Sequence, residues 1–153
     1  MIRGNGSAFA RALRDVRKTV DLLGRLPHNL AVAAAPDITA LLRRQFLEGV
    51  DPYGRPWAPL KPSTLKQHGP PPLTNKGALR DGTEATPMQG VRIGLTLRVG
   101  ARYGAFHQIG FRVGKTKVPP RRVLPNRGIP AAWRAALDRR ARELAARAVR
   151  GER

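Results

Sequence analysis

The sequence contains no cysteine. This absence excludes disulfide bonds, thiolate nucleophiles and thiolate metal sites. The three histidines, His28, His68 and His107, lie far apart in the chain and form no HExxH-type spacing, so no metal or cofactor is predicted. No carboxylate pair stands near a histidine, and the glycines form no phosphate loop. We therefore predict that the chain is not an enzyme.

Long hydrophobic runs and aromatic residues are also scarce. No segment approaches the roughly 20 apolar residues that cross a bilayer, and the polar start has no signal-peptide pattern, which predicts a protein made in the cytosol without membrane contact. The chain has four Phe, two Trp and two Tyr against 16 Gly and 14 Pro. This balance predicts a small core with extended Pro-rich loops or arms in one domain.

Acidic residues are few: 29 Lys and Arg oppose 10 Asp and Glu, a net charge of +19. The basic excess rises toward the C-terminus. Such a charge attracts nucleic acid or acidic protein surfaces. Most of the basic residues are arginine, however, and a composition rich in Arg, Ala, Gly and Pro also results from a GC-rich coding sequence. Charge alone therefore leaves DNA binding open.

An apolar stripe at helical spacing predicts a first helix from about residue 8 to 23. Ser7 is the expected N-cap, and Gly24 is the expected stop. The stripe consists of Phe9, Leu13, Val16, Val20 and Leu23.

A second helical pattern runs from Leu30 to Phe46 and ends near Glu48. It stays in phase across Pro36, which favours one kinked helix over two unrelated ones, with a fresh start at Asp37 as the alternative.

The rest of the chain predicts an α+β fold. Strict alternation indicates a half-buried strand over residues 91–99, with a weaker strand around 84–88 and a turn at Gly90. A short helix is expected at 103–109, and an amphipathic helix ends the chain. Its apolar stripe is Trp133, Leu137, Ala141, Leu144 and Ala148.

The complete prediction is two N-terminal helices, a small antiparallel sheet, a short helix and a C-terminal helix. The single domain, 1–153, divides into a helical N-terminal region (1–49), a β-containing core (50–128) and a basic helix (129–153).

Residues 51–60, DPYGRPWAPL, form a rigid turn that carries a large indole. Asp51, Pro52 and Gly54 suit a tight turn, because proline restricts φ and glycine tolerates positive φ. We predict that Trp57 packs against the helices and sheet as a brace. Exposure of Trp57 at a subunit interface is the alternative.

The order of these motifs resembles the virion morphogenesis or tail-completion family of tailed bacteriophages, from about Phe46 to Leu124 and more loosely over both terminal helices. The first motif is matched by Phe46, Asp51, Pro52, Gly54, Trp57, Leu60 and Thr64. A second is matched by Tyr103, His107, Gln108 and Gly110, with Gly104 in place of an alanine, and a third by Pro119 and Arg121. The chain departs from the family pattern at NKGALRD and RRVLP.

The resemblance implies a non-enzymatic structural protein of the virion, made in the host cytoplasm and placed at the phage neck. There it would complete the tail and join it to the head as part of a homo-oligomeric ring, with a hexamer as the default. Its implied partners are further copies of itself and neighbouring neck and tail proteins: the connector or stopper, and the tail terminator or tail tube. Genome DNA would pass through the lumen.

Basic side chains in the last third of the chain are candidates for contact with DNA or with acidic neighbouring subunits; for those on the C-terminal helix, a solvated outer face is the alternative. The candidates are Lys115, Lys117, Arg121, Arg122, Arg139, Arg140, Arg142 and Arg147. The first four are expected in an extended arm, stiffened by Pro119 and Pro120, that lies across a neighbour. His107 and Gln108 are expected to tie neighbouring backbone through hydrogen bonds. The alternative function is a free nucleic-acid-binding protein that uses the C-terminal Arg-rich helix.

Overall fold

The computed structural model describes residues 6–69, 72–74, 76–88 and 94–151. Helix α1 (Gly6–Glu48) is 43 residues long and contains both Pro27 and Pro36. The predicted division into two N-terminal helices is therefore wrong at Gly24, where the helix continues. Each interior proline costs a helix about 3 kcal/mol and the glycine about 1 kcal/mol. Packing offsets these costs in the second half of α1, where the stripe that stays in phase across Pro36 is buried.

Among the side chains that the structure describes, none from the first half of α1 belongs to the core. Leu13, Val16 and Val20 are 54%, 60% and 61% exposed. The side chains of Phe9 and Leu23, which complete the predicted stripe, lie outside the described portion of the structure. Within the described part of the chain, Leu13, Val16 and Val20 therefore form an exposed apolar surface.

The remaining elements confirm the α+β class. They are α2 (Pro62–His68), α3 (Ala78–Asp81), β1 (Glu84–Pro87), β2 (Leu95–Arg98), α4 (Gly104–Ile109), β3 (Phe111–Val113), β4 (Thr116–Val118) and α5 (Ala131–Val149). The predicted short helix and C-terminal helix are both present.

Strands β1 and β2 pair antiparallel, with Ala85 opposite Leu97. The strand predicted near 84–88 is confirmed. The longer strand predicted at 91–99 is described only as β2, because residues 91–93 and the predicted turn at Gly90 lie outside the described residues. The amide of Ala85 donates a 3.0 Å hydrogen bond to Thr39 Oγ1, which attaches the sheet to α1.

The basic segment after α4 is not one extended arm. Strands β3 and β4 pair antiparallel as a hairpin that turns at Gly114 and Lys115. The residues that follow lie against the body, where Val123 is fully buried and Arg121 is 5% exposed. The prediction of one extended arm is wrong because Lys115 and Lys117 lie in a hairpin whose two short strands satisfy each other's backbone groups, and because Arg121 packs on the 51–60 turn.

The core lies where α1, the 51–60 turn, α3, β1, the 121–124 segment and α5 meet. Its buried residues are Ile38, Leu42, Phe46, Trp57, Leu79, Ala85, Val123, Trp133 and Ala136. Two tryptophans in this set supply a large share of the available aromatic area, as expected for a chain with few aromatic residues.

Helices α1 and α5 are joined by an ion-pair cluster around Asp37. The guanidinium of Arg140 donates 2.9 Å hydrogen bonds to both carboxylate oxygens of Asp37, and Arg139 Nη2 donates one at 2.9 Å. Arg140 also pairs with Glu143 at 2.7 Å. The hydrogen bond from Arg140 lowers the pKa of the Asp37 carboxyl, against the opposing effect of burial. Two arginines predicted to contact subunits or DNA thus hold the terminal helix in place.

The substitution Asp37→Asn is expected to destabilise the protein at neutral pH and to lose this effect in acid. The unfolded carboxyl titrates near 3.8 and the folded one lower, so the unfolded state takes up the proton first as the pH falls. The stabilisation is therefore complete above that value and disappears below it. Urea unfolding of both proteins from pH 7 to pH 2 measures the difference, which should shrink as the pH falls below 3.8. The control is Asp138→Asn on exposed α5 surface; a constant difference for Asp37→Asn would contradict the assignment.

Candidate functional site

The chain after α1 turns through a loop organised by Asp51. Its Oδ1 accepts hydrogen bonds from the amides of Tyr53 and Arg55 at 2.8 and 2.9 Å. The amide of Asp51 donates to the carbonyl of Arg55 at 2.8 Å, and Gly54 has a φ of +79° that favours glycine. The tight turn predicted from the Asp-Pro-x-Gly pattern is confirmed.

Trp57 closes this turn against the core. It is 7% exposed, and its ring meets that of Phe46 edge to face with centroids 5.6 Å apart. Its Nε1 donates a 2.9 Å hydrogen bond to the carbonyl of Arg122. The brace prediction is confirmed, and the indole also connects the turn to a segment 65 residues later in the chain.

Tyr53 makes a second connection that sequence reasoning missed. Its hydroxyl oxygen accepts hydrogen bonds from the amides of Asn126 and Arg127 at 3.1 and 2.6 Å, and donates to the carbonyl of Arg127 at 2.6 Å. The only sequence signal was an aromatic residue at the variable position of the turn motif. Tyr53 and Trp57 together hold residues 122–128 against the turn.

Arg121 faces inward rather than toward a neighbour or DNA. Its Nε and Nη2 donate to the carbonyls of Ala58 and Pro59 at 2.9 and 3.0 Å. Its amide donates to the carbonyl of His107 at 2.7 Å. Burial lowers the pKa of the guanidinium, which nevertheless keeps its charge because arginine titrates so far above neutrality. Its described contacts are therefore structural and differ from the predicted partner contact.

The contacts of Gln108 confirm the prediction that its side chain bonds to neighbouring backbone. Its Oε1 accepts from the amides of Val123 and Leu124 at 2.9 and 3.0 Å, while its Nε2 donates to the carbonyl of Leu124 at 2.7 Å. One amide side chain thus satisfies three backbone groups of an extended segment.

Gly110, with φ of +79°, allows the chain to turn from α4 into β3, and a Cβ there would lie 3.0 Å from the carbonyl oxygen of Val118.

The side chain of His107 packs against aromatic rings and does not make the predicted hydrogen bond to backbone among the described residues. It contacts Tyr103 and Phe111 edge to face, with centroids 6.0 and 5.5 Å away. Its buried Nδ1 has no hydrogen-bond partner among the described residues. Burial, and secondly the charge of Arg121, lower the pKa of His107. The ring is therefore neutral at physiological pH.

The other predicted residues differ in their exposure. Lys115 and Lys117 are exposed on the hairpin, Arg122 is exposed beside the turn, and Arg142 and Arg147 are exposed on α5. Pro52 is buried, Leu60 and Thr64 are half-buried, and Pro119 is exposed.

Within the described ranges, no group of three or more His, Cys, Asp or Glu side chains is placed to hold a metal ion. No helix among the described residues is long and apolar enough to span a bilayer. Comparison of the chain with protein-family models, with curated proteins and with solved structures gives no match.

Proposed function

We propose that this chain is a structural protein of a phage-like virion that completes the tail and joins it to the head at the neck, within a homo-oligomeric ring. The order of its three motifs carries the resemblance to the tail-completion family. Neighbouring neck and tail proteins are its further partners.

One structural observation supports the proposal: the three motifs meet in one bonded unit. Trp57 of the first motif bonds to Arg122, Arg121 of the third motif bonds to Ala58, and Gln108 of the second bonds to Leu124. Residues that are separate in sequence therefore have a shared task, which is to hold the turn, α4 and the 119–125 segment together. That task is architectural, as expected for a protein that builds an assembly.

The first half of α1 supports a ring. Leu13, Val16 and Val20 lie on one exposed face, whereas a helix of this length gains most of its stability from packing of such a face. A neighbouring copy would cover the face and stabilise the helix. The alternative function loses some of its basis, because Arg139 and Arg140 on the C-terminal helix are already paired with Asp37.

The test is the absolute mass of the purified protein by native mass spectrometry and light scattering, at low and physiological salt, with and without a short DNA duplex. We expect a closed oligomer that forms without DNA. A monomer that binds duplex, with log affinity falling by about 0.9 per log unit of salt for each phosphate neutralised, would instead favour the nucleic-acid-binding alternative.

The double substitution Val16→Ser and Val20→Ser is expected to shift the mass distribution toward monomer. Each valine that a neighbour covers contributes about 1.5–3 kcal/mol of burial, which the serines remove. The matched control is Arg14→Ser with Arg17→Ser, which changes exposed positions on the same helix. Equal dissociation of both variants would assign the effect to loss of helix propensity rather than to the apolar face.

A further inference from the structure

Beside the 51–60 turn lies a cavity of about 240 Å³. It is lined by Asp51, Tyr53, Arg55, Arg122, Asn126 and Arg127. Three of these six residues are arginines, and they come from two segments that are distant in sequence. The cavity is large enough for one phosphate group with a portion of an attached sugar, and smaller than the roughly 300 Å³ of the smallest drug-sized sites.

The backbone at each arginine is held in position by hydrogen bonds. The amide of Arg55 donates to Asp51 Oδ1 at 2.9 Å, and its carbonyl accepts from the amide of Asp51. The carbonyl of Arg122 accepts from Trp57 Nε1 at 2.9 Å, and the amide of Arg127 donates to the Tyr53 hydroxyl at 2.6 Å. The Asp51, Trp57 and Tyr53 contacts therefore fix the backbone of three arginines around one cavity, which lowers the entropy lost when a ligand binds.

Other arginines near the core have their guanidiniums bonded within the protein. Arg43 bonds to backbone carbonyls, Arg98 pairs with Glu84, and Arg140 pairs with Asp37 and Glu143. Among the described residues, by contrast, no carboxylate lies within 4.0 Å of the guanidinium nitrogens of Arg55, Arg122 or Arg127. Like charges placed together repel, and a bound anion removes that repulsion.

The number of donors favours phosphate over carboxylate. One arginine is enough to satisfy a carboxylate through two parallel hydrogen bonds, whereas a phosphate offers more oxygens and accepts from several guanidiniums at once. Asp51 also lines the cavity, but its Oδ1 accepts hydrogen bonds from the backbone amides of Tyr53 and Arg55. We propose that the cavity formed by Arg55, Arg122 and Arg127 binds a phosphate group. This site does not depend on the neck role.

The experiment follows the arginine Nε–H resonances of the full-length protein by NMR during titration with inorganic phosphate at constant ionic strength, with sodium acetate as the carboxylate probe. We expect phosphate to move the resonances of the three cavity arginines, and acetate to move them much less. The variant Arg55→Gln, Arg122→Gln, Arg127→Gln should bind phosphate at least about tenfold more weakly, because charge-assisted hydrogen bonds are lost.

The matched control is Arg25→Gln, Arg102→Gln, Arg134→Gln, which removes the same charge from three exposed positions elsewhere on the chain. It should bind phosphate like the parent protein. A single variant, Arg122→Lys, keeps the charge and removes the planar fork, so it should weaken phosphate binding while leaving thermal stability unchanged.

A titration with a short DNA duplex identifies the source of the phosphate. If the phosphate belongs to a nucleic acid, the cavity variant should reduce the salt slope of duplex binding by about 0.9, and the control should reduce it less. If the slope is unchanged while inorganic phosphate still binds, the site takes a free phosphate. Equal responses to phosphate and acetate, or equal phosphate affinity in the cavity and control variants, would overturn the proposal.

Discussion

Replacing Trp57 by alanine is expected to lower the free energy of unfolding by about 3–5 kcal/mol, the usual cost of truncating a large buried aromatic side chain. Trp57 is 7% exposed and packs on Phe46 in the centre of the core. Alanine would leave a cavity there and would also leave the carbonyl of Arg122 without its 2.9 Å donor.

The variant Trp57→Phe separates the two contributions. Phenylalanine retains most of the ring packing and loses the Nε1 hydrogen bond, so we expect a smaller loss of about 1–2 kcal/mol. Urea unfolding monitored by circular dichroism measures all three proteins. Leu47→Ala is the control, since Leu47 lies on the same helix as Phe46 and is 65% exposed, and it should change stability by no more than about 0.5 kcal/mol. A Trp57→Ala variant as stable as Leu47→Ala would mean that the indole is not the brace.

Replacing Gln108 by alanine is expected to cost about 2–4 kcal/mol. The substitution removes three hydrogen bonds and leaves the amides of Val123 and Leu124 and the carbonyl of Leu124 unpaired. Each net hydrogen bond contributes about 1 kcal/mol, and an unpaired buried group costs more than that. The same urea experiment measures the effect, with exposed Gln67→Ala on α2 as the control.

The variant Gln108→Glu tests the donor separately from the acceptor. At neutral pH a carboxylate still accepts from the two amides but repels the carbonyl of Leu124, so stability should fall. Protonation restores a donor, and the difference from the parent protein should therefore narrow as the pH falls through the range in which glutamate titrates. A difference that is constant with pH would show that the bond to Leu124 contributes little.

Gln45 is a useful contrast because it is also buried, at 5% exposure, yet its Nε2 and Oε1 have no hydrogen-bond partner among the described residues. Replacing an unpaired buried amide by an apolar side chain of similar shape is nearly neutral or stabilising. We therefore expect Gln45→Leu to retain or raise stability, whereas Gln108→Leu lowers it. Equal losses at both positions would indicate that packing volume, rather than hydrogen bonding, accounts for the result at Gln108.

Five regular elements, the second half of α1, β1, β2, α4 and α5, could be predicted because they depend on local patterns, whereas α2, α3 and the β3–β4 hairpin were missed. The stripe of α5 and the alternation that includes β2 follow from the periodicities of helix and strand. The Asp51 turn follows from residue types that favour one backbone conformation, and the burial of Trp57 follows from the cost of exposing an indole. The continuation of α1 through Gly24 was missed because local propensity indicates a stop there.

The amino-acid sequence by itself determined the α+β class, the rigid turn with its buried tryptophan and the backbone-binding role of Gln108, because each depends on the chemistry of neighbouring residues. Only the tertiary structure decided which arginine side chains bond to groups within the protein and which line a cavity. Arg121 and Arg122 are adjacent in sequence, yet one bonds to Ala58 and Pro59 while the other lines a cavity with Arg55 and Arg127. The physical reason is that a charged side chain's role is set by the groups that folding places around it, and those groups come from distant segments of the chain.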